Sequence, residues 1–243
     1  MRRLWLALPL TLLVACTRPD SGQLVDVGTY SLYLNCQGTA SGEPTVILEH
    51  GIGERASSES WIKVQAALVP SVRVCRYDRA DVGKSGASGK ASRSGSDLIR
   101  DLHTLLRNAK IPGPYVLAGH SFGGYPVRLY AHAYPREVVG MVLVEAAHED
   151  MISEIPLGPE HLNLAQMGAE VRAAGNLGRL PLVVVTRGQD QSARWLGFQK
   201  RLVALSAVAR QVIATDSGHE VPIRQPSVVV QAIRTVLDET KAK

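Results

Sequence analysis

Short, mostly apolar runs rich in β-branched residues recur along the chain at residues 30–34, 45–48, 72–77, 115–118, 141–144, 182–186 and 211–214. Runs of this length and composition predict strands covered on both faces. Between them the apolar spacing changes to that of helices. Leu98, Leu102, Leu105, Leu106 and Ala109 share one helical face, Ser94 and Asp97 are spaced as a capping box, and Pro112 stops the segment. A second helix is predicted after Gly123 and before Pro135, and a third over 226–237 with Val229, Ile233, Val236 and Leu237 inward. Strand and helix in alternation predict an α/β fold, a mostly parallel central sheet with helices on both faces. In such folds ligands bind at the carboxyl ends of the strands.

The first residues follow a different pattern. Arg2 and Arg3 precede an apolar run over 4–15, and Cys16 follows. Twelve helical residues would span about 18 Å, short of a hydrocarbon core of about 30 Å, so the segment predicts an export signal and not a membrane span. Leu13-Val14-Ala15-Cys16 is similar to a bacterial lipoprotein box, which implies lipidation of Cys16 and a membrane anchor in the cell envelope. An ordinary secretory signal with an incidental cysteine is the alternative. Residues 16–28 are polar and predict a tether, followed by one domain over 29–243.

Composition narrows the function classes. In 243 residues, 45% are hydrophobic and 20% charged, which describes a globular chain with a sizeable core. The formal charge of +5 falls to +3 when Arg2 and Arg3 are removed, too little and too scattered to predict nucleic-acid binding. After export, with Cys16 lipidated, Cys36 and Cys75 are the cysteines left to pair. A disulfide between them is expected, and two buried free thiols are the other possibility. Neither has a Cys or His neighbour at ligand spacing, so no metal is expected.

The chemistry concentrates at Gly119-His120-Ser121-Phe122-Gly123, a G-x-S-x-G pattern directly after the strand at 115–118 and directly before a helical stretch. The glycines relieve crowding at a sharp turn, which raises the Ser121 hydroxyl above the sheet. An alcohol needs a base to take its proton. Of seven histidines, His219 in Asp216-Ser217-Gly218-His219 lies in a loop between the last strand and the last helix, where it can reach the strand ends. His120 adjoins Ser121 but is expected to point away and serve structure, and His103 and His132 fall within helices.

With these residues the chain resembles the α/β-hydrolases of the serine-hydrolase branch over almost all of residues 30–240. Val46-Ile47-Leu48-Glu49-His50-Gly51 is similar to the family's strand and His-Gly loop. The stretch Arg76-Tyr77-Asp78-Arg79-Ala80-Asp81-Val82-Gly83-Lys84-Ser85 is similar to its Asp-Arg-x-Gly-x-Gly-x-Ser stretch, with Asp81 where Gly is usual. The resemblance implies an oxyanion hole from the backbone amides of Ile52 and Phe122, and the Cys36–Cys75 pairing resembles that of some exported members. No cofactor is implied.

The acid that would orient His219 stays open. Asp190 lies nearest the usual family position, although the Gly-to-Asp spacing is one residue short; Glu145 ends the preceding strand, the position used by haloalkane dehalogenases; Asp150 is a third candidate. Residues 146–180 stand where the family inserts a lid, and a lid this short implies a modest pocket, with a plain crossover helix as the alternative. The expectation is an envelope enzyme that hydrolyses small-molecule carboxylic esters, or amides or lactones, through an acyl-enzyme. A non-catalytic binding protein on the same fold, or a cofactor-free perhydrolase or C–C hydrolase, would share these residues.

Overall fold

A computed structural model describes residues 22–39 and 42–241. Cys16, the expected export signal and the start of the expected tether lie outside the described residues. Among the described residues no helix is long and apolar enough to cross a membrane.

Eight strands form one sheet: β1 (Gln23–Asp26), β2 (Ser31–Gln37), β3 (Thr45–Glu49), β4 (Val74–Tyr77), β5 (Tyr115–His120), β6 (Val138–Val144), β7 (Leu182–Arg187) and β8 (Arg210–Ala214). Their order across the sheet is β1-β2-β4-β3-β5-β6-β7-β8. β3 to β8 run parallel, and β1 and β2 are antiparallel additions at one edge. The central strands β3 and β5 are buried along their whole length, as their unbroken apolar runs require.

Helices cover both faces. α1 (Glu59–Leu68), α6 (Val221–Arg224) and α7 (Pro226–Lys241) bury Trp61, Val64, Leu68, Val221, Val229, Ile233 and Val236 against one side. α2 (Gly95–Asn108), α3 (Gly124–Ala133), α4 (Leu164–Ala174) and α5 (Ala193–Val203) cover the other with Leu98, Leu102, Leu105, Val127, Met167, Val171 and Leu202. Cys36 and Cys75 are directly opposite on β2 and β4, and a disulfide joins them.

Two sequence expectations change here, and one helix appears that the sequence pattern does not mark. Residues 23–26 are not tether but β1, paired with β2 along four residues; only Val25 of the strand is buried, so it has no apolar run to mark it. α1 was hidden because its buried stripe contains the polar Ser60 and Gln65. Gln65 is tolerated inside because its amide donates to Asn35 and to the Val74 carbonyl and accepts from Arg76. The 146–180 segment divides in two: α4 is a crossover helix packed on α2 and α3, while residues 149–156, mostly a 3-10 stretch, pass over the strand ends.

The capping box at α2 is formed as the sequence predicts: Ser94 accepts from the Asp97 amide, and the Asp97 carboxylate accepts from the Ser94 amide. Burial raises the Asp97 carboxyl, but its bonds to Lys90 and Ser94 outweigh this and hold it down from 3.8 to about 2. Ser94→Ala should therefore cost about 1 kcal/mol in urea unfolding. A depressed acid stabilises the fold above its unfolded value, so the stability gap between wild type and Asp97→Asn should be full above pH 4 and shrink as pH falls towards about 2. A gap that does not change with pH would contradict the assignment.

Candidate active site

β5 ends in a turn too sharp for ordinary residues. A Cβ on Gly119 would lie 2.5 Å from the Gly123 carbonyl oxygen, and one on Gly123 would lie 2.6 Å from that of Glu49. Between them Ser121 adopts φ +54°, a left-handed conformation that costs a non-glycine residue about 1 kcal/mol or more. The turn is held by its setting: the Ala147 amide donates to the Ser121 carbonyl at 3.0 Å, and α3 begins immediately.

The Ser121 hydroxyl meets the ring of His219, on the loop between β8 and α6, with Nε2 3.0 Å from Oγ. On the far side Nδ1 of His219 is 3.4 Å from Oε2 of Glu145. Glu145 follows β6, is fully buried and also has a left-handed backbone, φ +48°. Its other oxygen, Oε1, accepts from the Arg187 amide at 2.7 Å and from the Trp195 indole at 3.1 Å, while Oε2 faces the imidazole and lies 3.6 Å from Nη1 of Arg187. Of the three carboxylates considered from the sequence, Glu145 is the one placed against the ring. Asp190 is exposed on the turn after β7, and Asp150 is occupied on the surface with Arg172 at 3.0 Å and Arg201 at 3.1 Å.

Ile52 and Phe122 border the same space as Ser121 and His219, a cavity of ≈260 Å³ whose walls include Met151, Ile155, Pro156, Arg187 and Trp195. The Ile52 loop is oriented from behind by Arg79. Its guanidinium donates to the carbonyls of His50 and Gly51, both at 2.8 Å, and stands 5.2 Å from the centre of the Phe122 ring. In a trans peptide the C=O and the following N–H point in opposite directions, so anchoring the Gly51 carbonyl on Arg79 turns the Ile52 N–H away from the core. His50 Nδ1, 2.9 Å from the same carbonyl, adds a second donor; burial and the Arg79 charge push its pKa down to about 3, so the ring is neutral.

Arg79 is itself held by two buried carboxylates. It contacts Glu49 at the end of β3 and grips Glu160 through Nε at 2.5 Å and Nη2 at 2.8 Å. Glu160 also accepts from the Gly53 amide at 2.8 Å, and Tyr77 donates to Glu49. Burial raises the Glu49 carboxyl beyond what Arg79 and Tyr77 offset, whereas at Glu160 the Arg79 charge and its bonds outweigh burial and lower it.

The alpha/beta hydrolase fold family matches residues 44–178, which contain the Ile52 loop, the elbow and Glu145. The chain belongs to this family. Among relatives of this α/β hydrolase, the uncharacterized protein YqjL of Bacillus subtilis is 27% identical over 212 residues, 79% of this chain and 83% of that one. Two further curated relatives, each 32% identical, are longer, and the hydrolase spans 26% and 44% of them. Its fold is similar to that of a putative lipase, lip1, of Acinetobacter baumannii (TM-score 0.71, 19% identity, 91% of this chain and 92% of that one). A thermophilic esterase of Thermogutta terrifontis superposes with a TM-score of 0.70 at 19% identity, covering 90% of this chain and 98% of that one.

The motifs led to Ser121, His219, Ile52 and Phe122, and to Glu145 as one of three acids, but not to the charges and the indole that hold them. Glu49 and Arg79 lie inside quoted motifs, and a charge at the end of an apolar strand was the available signal. Glu160 and Trp195 carry no local signal, since each acquires its partner from 81 and 50 residues away.

A buried ion cluster is costly to break from one side. Arg79→Met should destabilise by about 3–5 kcal/mol, because it strands two carboxylates, and removing Glu160 as well should recover part of that loss. Urea melts of Arg79→Met, Glu160→Met and the double variant test this; strictly additive losses would contradict the coupling.

Proposed function

We propose that this hydrolase cleaves carboxylic esters of small molecules through an acyl-enzyme, with Ser121 as nucleophile, His219 as general base and acid, and Glu145 as the orienting acid. The observation that carries this reading is the 3.0 Å contact of the Ser121 hydroxyl with a ring whose other nitrogen faces a fully buried carboxylate, all opening on one cavity.

In the first step the Ser121 oxygen forms a bond to the ester carbonyl carbon while its proton passes to Nε2 of His219. The carbonyl oxygen becomes an oxyanion facing the Ile52 and Phe122 amides, each worth about 3 kcal/mol in the transition state. Collapse breaks the bond to the alcohol oxygen, which leaves with the proton from His219. Water then attacks the acyl-serine by the same route in reverse, giving the carboxylic acid and restoring Ser121. Glu145 fixes the tautomer with the proton on Nδ1 and stabilises the imidazolium.

A cavity of ≈260 Å³, with Met151, Ile155 and Pro156 among its walls, favours short acyl groups. The disulfide on β2 and β4 suits an oxidising compartment. Together with the apolar run at 4–15 it supports an exported enzyme anchored to the cell envelope by lipid on Cys16.

Ser121→Ala should lower kcat on p-nitrophenyl butyrate by at least about three orders of magnitude, with circular dichroism unchanged. Fluorophosphonate should label wild type and not the variant, and p-nitrophenyl palmitate should be a poorer substrate than the acetate or butyrate. Retained turnover in Ser121→Ala would overturn the nucleophile assignment. Glu145→Gln should lose far more kcat than Asp190→Asn; the reverse order would move the acid to Asp190.

A further inference from the structure

Two titratable side chains beneath the site have no part in the reaction above. His120, the second residue of the elbow, is 2% exposed, and Glu54 lies on the loop after β3. Glu54 Oε2 accepts the Gly51 N–H at 2.8 Å and stands 3.7 Å from Nδ1 of His120, an ion-pair distance and not a hydrogen bond. On the other side of the ring, Nε2 is 3.1 Å from the backbone carbonyl of His219. These contacts run from the Ile52 loop, through a carboxylate and an imidazole, to the loop that carries His219.

The protonation of His120 follows from its partners. A carbonyl offers lone pairs alone, so Nε2 must donate. If Nδ1 then carried a lone pair, that lone pair would face a carboxylate oxygen with no donor between them. A second N–H at Nδ1 instead makes the ring an imidazolium beside an anion. Burial opposes the charge on His120, but Glu54, the His219 carbonyl and Glu220 outweigh it and raise the ring; His120 in turn helps to hold Glu54 down to about 2. The edge-on Trp61 ring and the tilted His219 ring lie beside it, with centroids 6.4 and 4.9 Å away. Gly51 leaves room for the pair, since a Cβ there would lie 3.0 Å from Glu54 Oε2 and 3.6 Å from His120 Nδ1.

The His219 carbonyl needs such a hold. It accepts from the Val221 amide at 2.9 Å within its own loop, and the His120 contact ties it to the elbow. We propose that buried His120 and partly exposed Glu54 form a charged bridge that sets the spacing between the Ile52 amide and the His219 imidazole, making both residues positioning groups for acyl transfer. This rests on the reaction assigned above. Misplacing reacting groups by about 1 Å costs on the order of a hundredfold, so a bridge that keeps two separate loops in register acts on kcat and not on substrate affinity.

The test uses the full chain labelled with 15N-histidine. At neutral pH one histidine, identified by its loss in His120→Asn, should have both ring nitrogens protonated, and Glu54→Gln should convert it to a neutral ring. On p-nitrophenyl butyrate, Glu54→Gln should lower kcat about ten- to a hundredfold with KM within threefold, and His120→Asn with Glu54→Gln should be no worse than the poorer single variant. A neutral His120 in wild type, or wild-type kcat in Glu54→Gln, overturns the bridge. Glu54 is partly exposed, so its variant keeps the test open if His120→Asn does not fold. A wild type that neither turns over esters nor reacts with fluorophosphonate would defeat the hydrolase mechanism, while the nitrogen spectrum would still decide whether the charged pair exists.

Discussion

Arg79 carries a full charge at 2% exposure, where an isolated ion would be prohibitively expensive. It is tolerated because five hydrogen bonds from its guanidinium reach Glu49, Glu160 and two backbone carbonyls. Removing such ions from water costs several kcal/mol each, and their attraction repays it only when the geometry is this complete. The cluster therefore adds little net stability but permits only one arrangement of the parts it joins. Those parts are the end of β3, the 50–53 loop, the start of the loop after β4 and the segment between β6 and α4.

That constraint shapes the site. Glu160 lies four residues beyond the 149–156 segment that passes over the strand ends, so the cavity wall at 151–156 is tied to the core through a charge close to the Ile52 loop. The backbone beside Ile52 is fixed from beneath by Arg79 and Glu160, and the backbone at Ser121 by glycines that allow strands and helix to close up. Glu145 is fixed by an indole and an amide. Preorganisation of this kind is what acyl transfer requires, since donors already aimed at a developing oxyanion need not reorganise as the charge forms.

The central sheet and the Ser121–His219 meeting were legible in the sequence because both follow from local patterns: apolar runs of strand length, and a glycine-flanked serine between a strand and a helix. The acid was not, because Glu145 and Asp190 each follow a parallel strand within a few residues, and the sequence does not show which of them the imidazole faces. Trp195, 50 residues from Glu145, supplies a donor that favours the former. β1 and α1 escaped for opposite reasons, one too polar and short to show a buried face, the other with Gln65 in its buried stripe. At Asp81 the departure from glycine has a visible accommodation: the residue takes the φ of +71° that glycine would, and its carboxylate binds the Ser88 amide at 2.8 Å.

The most direct measurement is a crystal structure of the enzyme inactivated by an alkyl fluorophosphonate, whose tetrahedral phosphorus mimics the acyl-transfer intermediate. The account requires phosphorus bonded to Ser121 Oγ, with its non-bridging oxygen within hydrogen-bonding distance of both the Ile52 and Phe122 amides and His219 still facing Glu145. A phosphonyl oxygen directed away from those amides, or an adduct on another residue, would contradict it.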